Sequence, residues 1–196
     1  MSEYPNWFEV TAENNFKNYL LPYAGKSNLN FLQVGAFTGD ASRWLLNNVL
    51  TGEGSKLTDV DTWRGSSEPS HKDMDWSAVE ELYDDRIKKY EDKVVKIKSD
   101  SVEFLRTQPF FSYDFIYIDG DHTALGAFAD AVGSWPLLKP MGIMAFDDYT
   151  WTSSISPEHE PKKGIDMFLK VAEGSYNLII KNGQLWVRNT LQFPED

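Results

Sequence analysis

Three aspartates and a histidine are the residues of this chain whose types and spacing could do chemistry. Asp119 ends one apolar run, "FIYID", and Asp147 and Asp148 follow a second run, "IMAF". Carboxylates that lie close together repel one another and raise each other's pKa unless a cation neutralises them. Oxygen ligands suit a hard divalent cation such as Mg²⁺. The pattern predicts a metal site of Asp119, Asp147 and Asp148; the competing interpretation is helix caps or pairing with a distant arginine.

His122 follows Asp119 by three positions. An imidazole titrates near neutral pH and can take a proton from a hydroxyl whose oxygen a neighbouring metal ion polarises. We therefore predict His122 and Asp119 as catalytic residues, with His122 as the general base. The alternative is that His122 only caps the helix that follows.

The stretch "VGAFTGDAS" (34–42) predicts a strand-to-helix turn that begins at Gly35 and ends at Gly39, with Asp40 as N-cap. Glycine lets a ligand approach the backbone, and a helix N-terminus favours an anionic group such as a carboxylate. A plain tight turn is the alternative. The spacing is not the G-x-G-x-x-G of NAD-binding sheets, which argues against hydride transfer.

Acidic and hydroxyl residues also end the next two strands. Asp61 could accept both hydroxyls of a ribose, although Asp59 is a competitor for that role. Asp100 and Ser101 could hold an adenine amino group or cap a helix. Trp63 could stack on the adenine or a sugar, or it could pin its own loop.

Apolar runs that alternate with helical patterns must position all these residues. Five such runs predict strands, at 29–35, 55–61, 93–98, 113–119 and 143–146. Ligands of such sheets bind beyond the carboxyl ends of the strands, where the candidate residues fall. "YNLIIKNGQLWVRN" adds two strands joined by Asn182-Gly183, a strong hairpin signal. The predicted fold class is α/β: one Rossmann-like sheet of seven strands, mostly parallel with a C-terminal antiparallel hairpin, and helices on both faces.

Composition limits the classes of function. The 196 residues suit a single domain, 1–196, and 30 acidic against 19 basic residues give a net charge of −11, which disfavours nucleic acid as partner. Cysteine is absent, which excludes disulfides and thiolate chemistry. The sequence has no signal-peptide pattern and no apolar run long enough for a membrane span, so we expect a cytoplasmic protein. Whether it forms a homo-oligomer stays open.

Four segments together resemble class I S-adenosylmethionine (SAM)-dependent methyltransferases, specifically methyltransferase family 24, with catechol and macrolide-sugar O-methyltransferases as distant relatives. They lie in the order "FLQVGAFTGDASRWLL", "VDTWRGS", "FIYIDGDHT" and "WPLLKPMGIMAFDDYTW". The resemblance implies a methionine-binding turn over Gly35–Gly39, including Ala36 and Phe37. It also implies Asp61 as the ribose-binding acid and Ser99–Ser101 as the adenine contact. Asp119 is predicted to contact the cofactor as well.

The same resemblance implies a metal-dependent O-methyltransferase. It makes Asp119, Asp147 and Asp148 the ligands of Mg²⁺ or another divalent cation and His122 the base. One departure is Gln33, where the family usually has an acid; an amide could still bond the methionine part of SAM. The implied acceptor is a hydroxyl of a small molecule, with a sugar or glycoside favoured.

The remaining segments complete the predicted organisation. Residues 1–28 are expected to form an N-terminal helical cap, and 63–78 and 149–164 to form flaps beside the active site. Two rival functions use the same residues: a metal-dependent phosphoesterase, which would need more histidine ligands, and a nucleotide- or SAM-binding module without catalysis.

Overall fold

The computed structural model describes residues 4–66, 68–152 and 159–191, which contain seven α-helices and seven β-strands. The helices are α1 (Trp7–Thr11), α2 (Glu13–Leu20), α3 (Asp40–Asn48), α4 (Trp76–Ile87), α5 (Ser101–Leu105), α6 (Ala124–Ser134) and α7 (Pro161–Val171). The strands are β1 (Asn30–Val34), β2 (Lys56–Asp61), β3 (Val94–Lys98), β4 (Tyr113–Ile118), β5 (Leu138–Phe146), β6 (Tyr176–Lys181) and β7 (Leu185–Asn189). No helix in these described ranges combines the length and apolar character that crossing a bilayer requires.

The strands form one sheet in the order β3-β2-β1-β4-β5-β7-β6. β1, β2 and β3 pair in parallel, as do β4 and β5, whereas β7 runs antiparallel to both β5 and β6. The predicted fold class, with its C-terminal antiparallel hairpin, is confirmed. Two compact units divide the chain, Met1–Asp100 and Ser101–Asp196, and the single domain predicted over 1–196 stays a prediction.

The first unit holds α1 to α4 and the strands β1 to β3. Its interior is lined by apolar side chains of β1 and α3, and Leu32, Leu45 and Val49 are all fully buried. Helix α3 begins one residue earlier than the sequence indicated, because Gly39 with φ 77° is its N-cap and Asp40 is the first helical residue. A left-handed N-cap favours glycine, which has no Cβ to clash with the backbone.

The second unit holds α5 to α7 and the strands β4 to β7. Phe115 of β4 packs against Trp186 of β7, with ring centroids 5.5 Å apart. Strand β5 begins at Leu138, five residues before the predicted strand at 143–146. The residues Lys-Pro-Met-Gly, 139–142, form a bulge within it, where the pairing with β4 shifts and Met141 adopts φ 64°.

Helices α6 and α7 of the second unit pack at van der Waals distance through Gly164. A Cβ built on Gly164 would lie 2.0 Å from the carbonyl oxygen of Ala124, so any side chain there forces the helices apart. We expect Gly164→Ala to lower the free energy of unfolding by about 1–3 kcal/mol through overpacking, measured by chemical denaturation.

Gly133→Ala in α6 is the matched control for this prediction. Its Cβ would meet first the end of the Leu105 side chain, at 3.1 Å, which can move aside. Alanine also has the higher helix propensity, by about 1 kcal/mol, so the control should be neutral or stabilising. Equal effects of the two substitutions would contradict the close packing at Gly164.

Candidate active site

The turn between β1 and α3 is held by the carboxylate of Asp61, at the end of β2. Asp61 Oδ2 accepts hydrogen bonds from the backbone N–H groups of Ala36 at 2.8 Å and Phe37 at 2.9 Å. Its Oδ1 accepts one from the N–H of Trp63 at 2.7 Å. A carboxylate offers about four acceptor positions, and three of them are occupied by the turn and its neighbour. The structure gives Asp61 the role of building the turn, and the ribose contact stays a prediction.

The backbone of this turn is left-handed at three of its five positions. Gly35 has φ 85°, Phe37 φ 46° and Gly39 φ 77°. Phe37 is not a glycine, and left-handed backbone is unfavourable for a residue with a side chain. The three hydrogen bonds that Asp61 accepts, together with one that the carbonyl of Phe37 accepts, hold Phe37 in this conformation. That last bond comes from the indole N–H of Trp63, which lies 2.9 Å from the oxygen of Phe37.

Trp63 itself lies inside the first unit. Its side chain is 3% exposed, its ring lies 4.8 Å from that of Tyr83, and the Lys96 ammonium lies 4.6 Å above it. Of the two roles predicted for this tryptophan, the structure shows the pinning of its own loop. Contact with a cofactor stays a prediction.

Gln33, in β1, is buried below the turn, and its amide is engaged within the protein. Its Nε2 donates to the carbonyl of Gly35 at 2.8 Å, and its Oε1 accepts from the Ser42 hydroxyl at 3.1 Å. The amide therefore joins the turn to helix α3. The bond from Gln33 to the methionine part of SAM stays a prediction.

The three residues predicted to contact adenine divide between the two units. Ser99 donates its N–H to the carbonyl of Asp61 at 3.0 Å, and Asp100 is exposed at the end of the first unit. Ser101 begins α5 in the second unit and donates its hydroxyl to Asp130 Oδ1 at 2.6 Å. Ser99 and Asp100 thus lie at the carboxyl end of β3, as expected, whereas the Ser101 hydroxyl binds a buried carboxylate.

In the second unit, Asp119, His122 and Asp148 form a compact cluster at the carboxyl ends of β4 and β5. His122 Nε2 lies 2.9 Å from Asp148 Oδ2 and 3.4 Å from Asp119 Oδ1. One ligand atom from each residue lies within 4.8 Å of the other two, close enough for all three to reach one metal ion. The side chains of His122 and Asp148 are each 18% exposed and that of Asp119 is 30% exposed, so a ligand can enter.

Local structure fixes the His122 segment at the start of α6. Thr123 is the N-cap of this helix, and its hydroxyl accepts the N–H of Gly126 at 2.9 Å. Asp121 Oδ1 accepts the N–H of Thr123 at 2.8 Å, and the Asp121 side chain packs where a Cβ of Gly126 would be. Asp121 is thus a turn residue, and the "GDHT" stretch presents His122, not Asp121, to the cluster.

Burial and like charges shift the pKa values of the acids in and beside the cluster. Partial removal of its carboxyl from water, with a smaller contribution from the charge of Asp148, raises the pKa of Asp119 to about 6, against the lowering effect of a hydrogen bond to His122. Burial, followed by the charges of Asp119 and Asp148, raises the pKa of Asp147 well above its usual range. A nearby cation would stabilise the ionised forms of these closely spaced, partly or fully buried carboxyl groups.

Asp147, predicted as a metal ligand with Asp119 and Asp148, has partners of its own in the structure, and its role as a ligand stays a prediction. It is only 7% exposed, it lies outside the three-residue cluster, and its Oδ1 accepts a hydrogen bond from Gln184 Nε2. The Oε1 of Gln184 in turn accepts the indole N–H of Trp186 at 2.9 Å. The physical reason is that consecutive residues direct their side chains differently, and Asp148, with φ 40°, faces His122. His122 takes the third place in the cluster.

Rings of the predicted flaps lie beside the predicted site residues of their own units. In the first unit, Phe37 stacks on Trp7 of α1, with ring centroids 4.9 Å apart, and lies 6.0 Å from Trp76. In the second unit, the ring of Trp151 lies 5.4 Å from that of His122. Residues 153–158 of the second flap lie outside the described residues, as do Ser67 of the first flap and 1–3 of the N-terminal cap.

Solved structures share this fold at low sequence identity. A proposed rRNA methylase from Clostridium thermocellum has a TM-score of 0.69 at 13% identity, over 93% of this chain and 98% of that one. A proposed O-methyltransferase from Klebsiella pneumoniae has a TM-score of 0.67 at 12% identity, over 92% and 81%. An O-methyltransferase from Bacillus cereus in complex with SAH has a TM-score of 0.58 at 16% identity, over 82% and 73%. No curated protein sequence matches the chain significantly.

The seven-stranded sheet with its terminal hairpin and the glycine turn after β1 define a class I SAM-dependent methyltransferase. The sequence profile of methyltransferase family 24, described as a methyltransferase domain, matches residues 32–149, more than half of the chain. The chain therefore belongs to methyltransferase family 24, as the resemblance implied.

Proposed function

We propose that this methyltransferase is a divalent-metal-dependent O-methyltransferase that acts on a hydroxyl group of a small molecule, with a sugar or glycoside hydroxyl favoured. SAM is the methyl donor. The observation that carries the proposal is the His122 cluster, in which an imidazole nitrogen lies 2.9 Å from one carboxylate and 3.4 Å from another.

His122 is the base of the proposed reaction. As the acceptor hydroxyl attacks, its proton passes to the imidazole, and the two carboxylates stabilise the imidazolium that forms. The acceptor oxygen then forms a bond to the methyl carbon as the bond from that carbon to the sulfonium sulfur breaks, which releases SAH. Orientation of the two reactants provides much of the rate enhancement, because methyl transfer leaves the protein little other chemistry to do.

The residues of the cluster fit a divalent cation. The carboxylates of Asp119 and Asp148, whose ligand atoms lie within 4.8 Å of each other and of an imidazole nitrogen of His122, offer the oxygen donors that Mg²⁺ or a similar ion prefers, and the imidazole keeps its role as the base. Such an ion would polarise the acceptor hydroxyl and lower its pKa. Asp119 and Asp148 would hold it, and Asp147, the third predicted ligand, is buried beside them and bonded to Gln184.

The turn of the first unit supports SAM binding. Helix α3, which is nine residues long, begins directly behind it, with Gly39 as its N-cap. The N-terminus of a helix attracts an anionic group, such as the carboxylate of the methionine part of SAM. Ala36, Phe37 and Asp61 would shape this end of the cofactor site.

A macromolecular acceptor has less support than a small molecule. The net charge of −11 repels a polyphosphate chain, and the likeness to a proposed rRNA methylase, at 13% identity, concerns the fold alone. The phosphoesterase alternative predicts a two-metal site with additional histidine ligands, and the metal-ligand cluster found among the described residues contains a single histidine. The cytoplasmic location stays a prediction.

The test is a methyl-transfer assay with protein stripped by a chelator. Radiolabelled SAM and a panel of glycosides, free sugars, catechols and simple phenols should give methylated product only after Mg²⁺ or Mn²⁺ is restored. Calorimetry of SAM binding and electron paramagnetic resonance of bound Mn²⁺ measure the two ligands separately. Full turnover of the stripped protein would overturn the metal requirement, and SAM binding without transfer to any acceptor would favour the non-catalytic module.

A further inference from the structure

Asp59, in the middle of β2, is a fully buried acid that the proposed reaction does not use. Its side chain has no solvent exposure, and its Oδ2 accepts a hydrogen bond from the Tyr83 hydroxyl at 2.7 Å. Within the described residues its Oδ1 has no partner in hydrogen-bonding geometry. An ionised carboxylate in this position would leave buried negative charge largely uncompensated, which costs more than burial of the neutral acid.

The surroundings of Asp59 favour its protonated form near neutral pH. Burial raises the pKa of Asp59 to about 7, and the charge of Asp61 contributes in the same direction. The hydrogen bond from Tyr83, and to a smaller extent the nearby Ser42 hydroxyl, lower the pKa of Asp59 by less than burial raises it. The carboxyl therefore carries a proton during a substantial fraction of the time at pH 7.

No cation compensates the Asp59 carboxyl within the described part of the first unit. From α4 it faces the Tyr83 hydroxyl, and on its own strand the nearest charge is that of Asp61. Lys96 is its partner in the pairing of β2 with β3, but the Lys96 ammonium is engaged by Glu80 at 2.8 Å and Asp84 at 2.7 Å.

Asp59 lies directly beside Gln33 in the pairing of β1 with β2. Ser42 connects the two residues, because its hydroxyl bonds Gln33 and also lies close enough to Asp59 to affect that acid. Gln33 then donates to the carbonyl of Gly35, the first residue of the turn. The polar groups below the turn thus form one buried row that ends at the turn.

We propose that Asp59 is a positioning residue for the Gly35–Gly39 turn: as a neutral carboxylic acid, it completes the row through Ser42 and Gln33 to the Gly35 carbonyl. The row has room for one acidic side chain, which explains why position 33 is an amide. A second carboxyl beside Asp59 would add a like charge or a surplus proton donor without a cation to balance it. That the turn binds SAM rests on the proposed function; the construction of the row does not.

The first test follows stability with pH in wild type and Asp59→Asn. An acid whose pKa is raised on folding stabilises the folded state most at low pH, and this contribution falls as the pH rises from about 4, where the unfolded acid titrates, to about 7. The asparagine of the variant keeps an acceptor for Tyr83 and offers an amide N–H in place of the acid proton. As the pH rises over this interval, wild type loses the contribution of Asp59 and the variant does not. The unfolding midpoint of the variant should therefore rise relative to that of wild type. A difference that does not change with pH would overturn the proposal.

The second test exchanges the acid between the two strands. Gln33→Glu should weaken SAM binding at pH 8 by at least about tenfold, the equivalent of one pKa unit of interaction, and increase hydrogen exchange of the 35–39 amides. Gln33→Glu combined with Asp59→Asn should recover most of both losses, because a single acid remains. Asn177→Asp, on an exposed position of β6, controls for an added charge.

The outcomes separate this proposal from the proposed function. If none of the proteins binds SAM, the function is wrong, but the exchange of the 35–39 amides and the pH dependence of stability still test the buried row. If Gln33→Glu does not fold and the double variant does, the row is supported. If the single and double variants lose the same amount, Asp59 and Gln33 act independently and the proposal is overturned.

Discussion

Asp148→Asn is expected to lower kcat for methyl transfer by about 10²–10⁴-fold, the range for loss of a positioned acid–base pair. The carboxylate of Asp148 lies 2.9 Å from the His122 imidazole, so it orients the base and stabilises its charged form. Asparagine fills the same volume but carries no negative charge, so it stabilises neither the imidazolium of His122 nor a bound cation. The loss should therefore appear in kcat, because the base acts on the acceptor hydroxyl during the transfer step.

The Asp148→Asn variant should lose activity without losing stability. Asp119, Asp147 and Asp148 repel one another, and the charge of Asp148 contributes to the raised pKa of both other acids. Removal of one charge should leave the metal-free protein as stable as wild type or more stable. A rise in stability together with a loss of activity is typical of residues selected for function rather than for folding.

Asp114→Asn is the matched control for Asp148→Asn. Asp114 lies in β4 of the same unit and forms a partly exposed ion pair with Lys139 at 2.8 Å. Loss of a surface ion pair changes stability by less than about 1 kcal/mol and should leave kcat unchanged. Mn²⁺ binding, followed by electron paramagnetic resonance, should weaken in Asp148→Asn alone. Wild-type kcat in Asp148→Asn would show that the His122 cluster is not the catalytic centre.

The fold was predictable because its signals are local. Each parallel strand is a short apolar run followed by a helical pattern, and Asn182-Gly183 marks the hairpin that the structure places between β6 and β7. The start of β5 was not predictable. Pro140 and Gly142 suggest a turn, and only pairing with β4 shows that they form a bulge within a longer strand.

The site was predictable at the level of strand ends but not of side-chain partners. Asp119, His122 and Asp148 were identified from their position after apolar runs, and the structure brings them together. The difference between Asp147 and Asp148 depends on Gln184, which is 37 positions away and is brought to Asp147 by the pairing of β7 with β5. No local pattern reports a partner at that distance.

The first unit shows the same limit. Asp61 was predicted to bind ribose, but its bonds to Ala36 and Phe37 arise because β1 and β2 are neighbours in the sheet. Asp59 was considered only as a competitor of Asp61. Its burial and its bond to Tyr83 follow from the packing of α4 on the strands, which periodicity alone does not specify.

Asp61→Asn is expected to lower the free energy of unfolding by about 2–4 kcal/mol, from lost bonds to a charged group and an unsatisfied donor. Both carboxylate oxygens accept backbone N–H groups, Oδ2 from two and Oδ1 from one. Asparagine has a single acceptor oxygen. In either orientation its amide N–H₂ faces at least one backbone N–H, so a donor is left opposite a donor. The turn that holds Phe37 in a left-handed conformation should then relax, and SAM affinity should fall by at least about tenfold.

Denaturation and calorimetry on the same preparations distinguish the two roles of Asp61. Asp85→Asn, on the exposed surface of α4 in the same unit, is the control and should match wild type in both measurements. If Asp61→Asn loses stability and SAM affinity together, the acid acts by building the turn, as its three backbone bonds indicate. If affinity falls while stability is unchanged, the acid contacts the cofactor directly and its bonds to the turn are replaceable. Wild-type values for both quantities would contradict either role, because a carboxylate that accepts three backbone N–H groups cannot be exchanged for an amide without loss.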